Sequence, residues 1–475
     1  MFAFKKQLFI LLSFTFIFLP LPSCKKAENQ SSYTINAVYS NGVIDGNLRY
    51  KFVNNSNTAI DHVDFNLHAN AYAENAEIKP TTSTNLAKAY ENGISYGGIE
   101  ILSVEIARKK SEFKVFGLDN AFLKVSVPAV YPEEYVEIDV AFKTTVPKSK
   151  LRLGENSHAI NVADFFPTVC YFKNGEFLHI PYSPIGDPYY SQTHDFFVNF
   201  SVPSEYVVAS CGQPTQTIVD ELFTTYSYQL NRARNFALVI SKNFKVFSKN
   251  SNGITVNYYS FLDDGEEYLN TVLSALDYFN RTFGDYPYQT LSVAETGFVY
   301  GGMEFSSLCF INTDLNRQDK LNSIIHEVAH QWWYGGVSNN QYNTAFIDEG
   351  LCEFSTYLYF KNTSKDLANE MILNAKQAYK SFFDLQSVLS GNANTCMERP
   401  LSDFKSDYEY VNLVYNKSLL TFYEYENLVG EDKTLKSLKT LYKNNIGKEI
   451  TREDLIKAFG YGDHFNSYID GKVIL

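Results

Sequence analysis

The sequence predicts a multidomain chain in which an all-β saddle or sandwich domain is followed by an α/β domain that becomes mostly helical. From residue 33 to about residue 250, short runs of β-branched and aromatic residues alternate with turns rich in Asn, Gly and Pro. From about residue 253, apolar residues recur at helical spacing instead. A length of 475 residues is enough for two or three domains.

The first 24 residues are typical of an export signal. Two lysines precede an apolar run over residues 8–21, which is shorter than the roughly 20 residues of a comfortable membrane span. The run is followed by Leu-Pro-Ser-Cys, which resembles the lipobox of bacterial lipoprotein signal peptides. We therefore expect residues 1–24 to be a lipoprotein-type signal peptide, and the protein to be exported and anchored to the membrane of the cell envelope through a lipidated Cys24. A plain secretory signal with an incidental cysteine is the alternative.

The segment 25–32 is polar and lacks an apolar pattern, so we expect it to be a tether. The β-domain is predicted to occupy residues 33–250. Within it, residues 75–96 follow no regular pattern and are predicted to form a long loop. The predicted strands are 33–39, 47–53, 62–68, 122–127, 135–144, 196–202, 206–210, 223–230 and 236–247.

The second domain is predicted to occupy residues 251–475. Asp263 and Asp264 are a plausible start for an amphipathic helix, and Thr451 with Asp454 forms a helix-capping pattern before the segment 451–459. The other predicted elements of this domain are strands at 254–261, 291–294 and 307–311 and helices at 319–334, 348–362, 364–390, 412–429 and 432–444.

Composition excludes several classes of partner. A net charge of −12 and the lack of a long Lys/Arg run argue against nucleic acid. The six cysteines include no Cys-x-x-Cys pair, so zinc bound by thiolates is not expected. An acidic protein suits a ligand with a positive group, such as a peptide amine. We expect a monomer or a weak oligomer.

The most specific chemical signal is His326-Glu327-x-x-His330 inside an apolar run. In a helix the two histidines lie one turn apart on one face, where they can bind one zinc ion while Glu327 reaches a metal-bound water. A buried helix whose histidines are satisfied by hydrogen bonds is the alternative.

A third metal ligand is predicted downstream. Eighteen residues separate His330 from Glu349, which lies on the next predicted helix. Two histidines and one glutamate leave a fourth position for water, which is the arrangement of catalytic zinc sites. Because zinc lowers the pKa of its bound water towards about 7, Glu327 is placed to act on that water as a general base.

These motifs resemble those of the zinc aminopeptidases related to aminopeptidase N and to the leukotriene hydrolase, a gluzincin family. The family pattern is His-Glu-x-x-His, eighteen residues and Glu, preceded by Gly-x-Met-Glu-Asn. The upstream motif appears here as Gly301-Gly302-Met303-Glu304, with Phe305 in place of Asn. The resemblance implies a thermolysin-like catalytic domain, one zinc ion per chain, and peptides with a free N-terminus as substrates.

The resemblance also implies roles for single residues. Glu304 would bind the substrate's α-ammonium group, which is largely cationic at pH 7 because its pKa is about 8. Tyr415, in Tyr-Asn-Lys-Ser, matches the family's Tyr-x-Lys-Gly and would donate a hydrogen bond to the oxyanion. Tyr410 matches a second tyrosine found in some members. The metal ligands would be His326, His330 and Glu349, the base Glu327, and the residues beside the peptide Gly301, Gly302 and Met303.

Two alternatives to an aminopeptidase are a non-catalytic peptide-binding lipoprotein and a zinc endopeptidase or other zinc hydrolase. A binding protein has no use for the general base Glu327. An endopeptidase gains nothing from a carboxylate such as Glu304 that binds an ammonium group beside the metal. Both residues therefore favour the aminopeptidase.

Overall fold

The computed structural model describes residues 30–391 and 393–472. Strands dominate as far as Ser260 and helices dominate after Gly265, which confirms the predicted order of a β-domain followed by an α/β-to-α domain. The predicted signal peptide and Cys24 lie outside the described residues. Within them, no helix is long and apolar enough to cross a membrane.

An eight-stranded sheet is the main layer of the β-domain. Every second residue of Ser32–Ser40 is buried, because successive side chains of a strand point to opposite faces. This strand pairs in parallel with His194–Pro203, so the chain returns to the middle of the sheet after a long excursion. In spatial order the strands are Pro214–Val219, Phe223–Ala233, His194–Pro203, Ser32–Ser40, Val43–Val53, Tyr135–Thr145, Gly98–Ile106 and Lys109–Lys110.

Two four-stranded sheets and one hairpin complete the strands of the β-domain in the described chain. The first sheet consists of Val207–Ser210, Leu238–Ser241, Ile160–Val162 and Leu153–Glu155. The second consists of Thr168–Val169, Ile60–Asn66, Phe122–Val130 and Phe113–Phe116, and the hairpin of Tyr171–Lys173 and Glu176–Leu178.

The predicted single strand over 236–247 is wrong. The chain instead forms Leu238–Ser241 in the β-domain and Lys245–Ser251 in a sheet of the second domain. Between them the Asn243 N–H donates to the Ser241 hydroxyl, and a side-chain bond of this kind turns the chain and ends the first strand. The predicted domain boundary after residue 250 therefore falls inside Lys245–Ser251.

The predicted loop 75–96 contains one short helix, Leu86–Ala89, and is otherwise irregular. This loop reaches the second domain. The Thr81 and Tyr300 hydroxyls lie 3.0 Å apart at hydrogen-bonding distance, and Asn85 Nδ2 donates to Asp407 Oδ2 over 3.2 Å. A loop of the β-domain thus covers one side of the helical domain.

The second domain begins with a five-stranded sheet. Its edge strand is Gly302–Phe305, which pairs antiparallel with Leu308–Asn312. The strands in spatial order are Lys245–Ser251, Ile254–Ser260, Thr290–Thr296, Leu308–Asn312 and Gly302–Phe305. The α-helices are Gly265–Thr282, Arg317–Ala329, Gln341–Thr344, Phe346–Thr363, Lys365–Ser390, Asp407–Tyr410, Ser418–Val429, Glu431–Asn445, Arg452–Phe459 and Gly462–Ile469.

Two predicted helices contain wider turns. The predicted helix 319–334 is an α-helix over Arg317–Ala329, which we call the motif helix, and a π-helix over Gln331–Gly336. The predicted helix 412–429 begins as a π-helix, Val411–Lys417, before Ser418–Val429. The helix Phe346–Thr363, which we call the return helix, covers the predicted 348–362.

The predicted capping pattern near the C-terminal end of the described chain is confirmed. The Asp454 N–H donates to the Thr451 hydroxyl, and the Thr451 N–H donates to the Asp454 carboxylate. The short helix that follows, Gly462–Ile469, was not predicted. All five described cysteines are free thiols.

Candidate active site

Three side chains converge where the motif helix meets the return helix. His326 lies in the last turn of the motif helix, and His330 is its C-cap residue. Glu349 lies in the first turn of the return helix. The two Nε2 atoms are 3.0 Å apart, and Glu349 Oε2 lies 3.1 Å from His326 Nε2 and 3.3 Å from His330 Nε2.

This donor set fits a zinc ion. One atom from each of the three residues lies within 4.8 Å of the other two, and all three residues are largely buried. The two imidazole Nε2 atoms face each other at 3.0 Å and both lie close to Glu349 Oε2, so a cation between them could bind all three atoms. The other nitrogen of His326, Nδ1, lies 2.9 Å from Glu353 Oε1.

Glu327 stands beside this set with a free oxygen. Its carboxylate is buried, and Oε2 has no hydrogen-bond partner among the described residues. Burial raises the pKa of Glu327 to about 8, although the two neighbouring histidines act to lower it. A divalent cation at the histidines would lower this pKa further, because it favours the ionised form.

The glycines upstream leave room for Glu327. A Cβ atom at Gly302 would lie 2.5 Å from Glu327 Oε1, so only glycine fits there with this carboxylate in place. At Gly301 the same atom would lie 2.8 Å from the Ser323 hydroxyl, which can rotate away. The two glycines are therefore under different constraints.

Glu304 lies on the edge strand Gly302–Phe305 and is buried. One of its oxygens lies within 4.8 Å of a Glu327 oxygen and of a His330 nitrogen. Burial, and next the charge of Asp187, raises the pKa of Glu304 to about 7. Phe305 replaces the Asn of the family motif. Its ring packs against that of Phe310, with 4.8 Å between the ring centroids.

Tyr415 faces the predicted metal ligands from the π-helix Val411–Lys417. Its hydroxyl donates to Glu349 Oε1 over 2.6 Å, and its ring stacks on His326 at 5.9 Å between centroids. Burial raises the pKa of Tyr415 well above its usual value, so the phenol stays neutral and able to donate. The Tyr410 ring lies 5.8 Å away, and its buried hydroxyl has no partner among the described residues.

Two cavities meet at these residues. An inner cavity of about 150 Å³ and an outer cleft of about 430 Å³ share Tyr300, Gly302, His326, Glu327 and Tyr415 in their walls. The inner cavity also contains Met303, Glu304, His330 and Glu349. The structure therefore brings every predicted site residue except Gly301 to the inner cavity, and Gly301 lines the outer cleft.

The inner cavity includes residues that the sequence did not single out. Arg152 forms a buried ion pair with Asp187, and its Nε donates to Met303 Sδ over 3.3 Å. Asn85 and Asp407 close another part of the wall. Most of these residues come from the β-domain, far away in sequence, and carry no local motif. A larger cavity of about 780 Å³ lies elsewhere, beside Tyr171 and Arg234, and contains none of the predicted site residues.

Comparison with known families identifies this arrangement. Residues 267–470, which include the motif helix, the return helix and Tyr415, match the Peptidase family M1 domain. This segment is similar to a peptidase family M1 domain. The match confirms the predicted resemblance, the prediction of a peptidase, and the prediction of a zinc cofactor.

Solved structures of an M1 zinc metallopeptidase from Deinococcus radiodurans share the fold. One is 13% identical and covers 94% of this chain and 96% of that chain, with a TM-score of 0.66. A mutant form bound to a Tyr-Ser-Ala substrate is 14% identical and covers 94% of this chain and 95% of that chain, with a TM-score of 0.64. A further solved structure, of a two-domain M1 zinc metallopeptidase mutant bound to L-tryptophan, is 13% identical and covers 94% of this chain and 96% of that chain, with a TM-score of 0.64. The M1 two-domain fold therefore extends over nearly the whole chain.

Proposed function

We propose that this M1 peptidase is a zinc-dependent aminopeptidase that removes the N-terminal residue of peptides. The observation that carries the proposal is the position of Glu304, a buried carboxylate that lies with Glu327 and His330 in the inner cavity. A peptide's α-ammonium group, with a pKa of about 8, is mostly cationic at pH 7. Its pairing with Glu304 brings the first peptide bond, and no later one, next to Glu327.

The residues around the metal ligands can carry out the proton transfers. When bound, zinc polarises the peptide carbonyl and lowers the pKa of a water molecule. Glu327, whose Oε2 is unpartnered, accepts a proton from the attacking water and returns it to the leaving amine. The neutral Tyr415 hydroxyl donates a hydrogen bond to the carbonyl oxygen as negative charge develops there, for which it must turn away from Glu349.

The two cavities suit the two sides of the cleaved bond. The inner cavity of about 150 Å³ has room for one residue, whereas the outer cleft of about 430 Å³ is larger and holds the rest of the peptide. The structural relative bound to a Tyr-Ser-Ala substrate supports short peptides as the substrate class.

The proposal is tested with matched fluorogenic substrates. We expect the zinc-loaded protein to cleave aminoacyl amides with a free amine and to leave the N-acetylated amides intact. Rates are measured for each pair at one pH and substrate concentration. Equal cleavage of blocked and free substrates would contradict an aminopeptidase and favour an endopeptidase, and no cleavage of either would favour a binding protein.

Glu304→Ala separates amine recognition from the chemical step. Truncating one partner of a buried charge pair costs about 2–5 kcal/mol. The kcat/KM for free-amine substrates should therefore fall by the factor that corresponds to a loss of about 2–5 kcal/mol of transition-state stabilisation. Glu327→Gln should lower kcat about 10²- to 10⁴-fold at unchanged zinc content, because it removes the base and keeps the metal ligands. Zinc content is checked by metal analysis of each purified variant.

We also propose that the protein is exported and anchored through Cys24. The support is the apolar run that ends just before this cysteine. Metabolic labelling with a clickable fatty acid should mark the unmutated protein and leave the Cys24→Ser variant unlabelled. Equal labelling of both would place the lipid elsewhere, and absence of label from both would favour a plain secretory signal.

A further inference from the structure

Gln341 connects the amine-binding carboxylate to the metal-binding helix. It begins the short helix Gln341–Thr344, between the π-helix that follows the motif helix and the return helix, and its side chain is buried. Its Nε2 donates to Glu304 Oε1 over 2.9 Å and to Asp348 Oδ2 over 2.7 Å. Asp348 is the neighbour of Glu349 in the return helix.

The chemistry of the partners fixes the orientation of this amide. Both partners are carboxyl groups, and Nε2 lies at hydrogen-bonding distance from one oxygen of each, so the NH₂ group and not the amide oxygen faces them. Both amide hydrogens are then used. The amide oxygen is buried with no hydrogen-bond partner in the described part of the chain. A methionine of similar size would fill the same space without leaving an unsatisfied oxygen, so packing alone does not account for a glutamine here.

The bond to Gln341 matters because little else holds Glu304. Within the described residues, Gln341 is the one group that donates a hydrogen bond to the Glu304 carboxylate. Burial opposes ionisation of that carboxylate, and a hydrogen-bond donor favours the ionised form that an ammonium group requires. With Oε1 held by Gln341, the second oxygen is presented to the ligand in one position.

The other end of the connection is also fixed. Asn339 Nδ2 donates to Asp348 Oδ1 over 2.9 Å, while Gln341 uses Asp348 Oδ2. The side chains of Asn339, Asp348, Gln341 and Glu304 thus form one buried chain of hydrogen bonds from the first turn of the return helix to the edge strand.

We propose that Gln341 is a positioning residue for substrate recognition. It fixes Glu304 for the substrate's α-ammonium group and ties it to the helix that supplies Glu349. This inference rests on the proposed aminopeptidase function and extends it to a residue that does not touch the substrate.

The test uses two hydroxamate ligands, an amino-acid hydroxamate with a free α-amine and its analogue without the amine. Both present the same metal-binding group, and only the first engages Glu304. Calorimetry on the zinc-loaded protein should show that the unmutated chain binds the amine form at least about tenfold more tightly. In Gln341→Met this preference should fall to about twofold or less, with the affinity for the amine-free ligand unchanged.

Kinetics add a second readout. For free-amine substrates, kcat/KM of Gln341→Met should fall roughly 10- to 100-fold, mainly through KM, because the lost interaction is present before the chemical step. The double variant Glu304→Ala/Gln341→Met should be no worse than Glu304→Ala alone, since Gln341 acts through Glu304. Asn54→Ala, which removes another buried amide far away in the β-domain, is the control that lowers stability without changing the preference between ligands.

The outcomes separate this inference from the proposed function. If the unmutated protein binds both hydroxamates equally, the amine-binding role of Glu304 is wrong and the inference falls with it. If the unmutated protein prefers the amine form and Gln341→Met keeps that preference, only the role of Gln341 is wrong. If Gln341→Met weakens both ligands equally, Gln341 has a structural role and the inference is overturned.

Discussion

Burial and neighbouring charges set the pKa values of the carboxyl groups in the site. Burial raises the pKa of Glu304 to about 7, and those of Glu327 and Asp348 to about 8. Burial also acts on Glu349, but the two histidines hold the pKa of Glu349 below its usual range. Several buried carboxyl groups lie close together with few cationic groups beside them. A divalent cation at the histidines would therefore stabilise their ionised forms.

The sequence predicts the residues of this cluster that lie in short motifs. His326, His330 and Glu327 are fixed by helical spacing, and the structure places Glu349 against the histidines although eighteen residues separate it from His330. Gln341 could not be predicted in the same way. It acts through two partners, one on a strand and one on a helix, and no local pattern marks such a contact.

Gly302→Ala tests how tightly the base is confined. The added Cβ would meet Glu327 Oε1 at 2.5 Å, so the carboxylate must move away from the reacting water. A displacement of about 1 Å can cost roughly 10²-fold in rate, and we expect a loss of that order in kcat with zinc content unchanged. Steady-state kinetics and metal analysis of the purified variant measure both quantities.

Gly301→Ala is the matched control for this substitution. Its Cβ would meet only the Ser323 hydroxyl, the end of a short side chain that can rotate. The loss in kcat should therefore be clearly smaller than for Gly302→Ala. Equal losses would show that the backbone of the motif, and not the confinement of Glu327, sets the rate.

At the scale of elements, the site depends on a helix that widens as it ends. The α-helical hydrogen bonds of the motif helix stop at His330, and Gly335 N–H then donates to the His330 carbonyl, five residues back. The apolar residues Trp332 and Trp333 continue the helical pattern across this change, so periodicity predicts one uninterrupted helix. The π-helix is rare, and sequence spacing alone does not reveal it.

Metal binding should act as a clip between two helices. The histidines lie on the motif helix and Glu349 on the return helix, so a cation bound by all three joins the two helices. Removal of zinc with a chelator should abolish activity and lower the melting temperature. At free zinc about 1,000-fold above its dissociation constant, the stabilisation is about 4 kcal/mol.

The control for the clip is a variant with a broken ligand set. His330→Ala should melt at the same temperature with and without added zinc in differential scanning calorimetry. The unmutated protein should regain its higher melting temperature when zinc is restored. If the unmutated protein melted at the same temperature with and without zinc, the metal would not be held by both helices.

At the scale of the whole molecule, the β-domain completes the inner cavity. Arg152 and Asp187 form a buried ion pair in its wall, and Asn85 brings the loop 75–96 to it. The order of the domains and about half of the described strands could be predicted from local patterns. The packing of one domain on the other could not, because it depends on contacts between residues hundreds of positions apart, such as Asn85 with Asp407.

Asp407→Ala tests whether this closure limits the enzyme to the first residue. Asp407 Oδ2 accepts hydrogen bonds from Thr82, Thr84 and Asn85, and so holds the loop against the catalytic domain. Without them the wall loosens and admits a blocked or longer N-terminus, so the preference for free over N-acetylated amides should fall roughly tenfold. Asp403→Ala removes an exposed carboxylate four positions earlier, which has no side-chain hydrogen bond to the loop within the described residues, and should keep the preference. An unchanged preference in Asp407→Ala would show that Glu304 alone selects the N-terminus, with the loop serving only to hold the domains together.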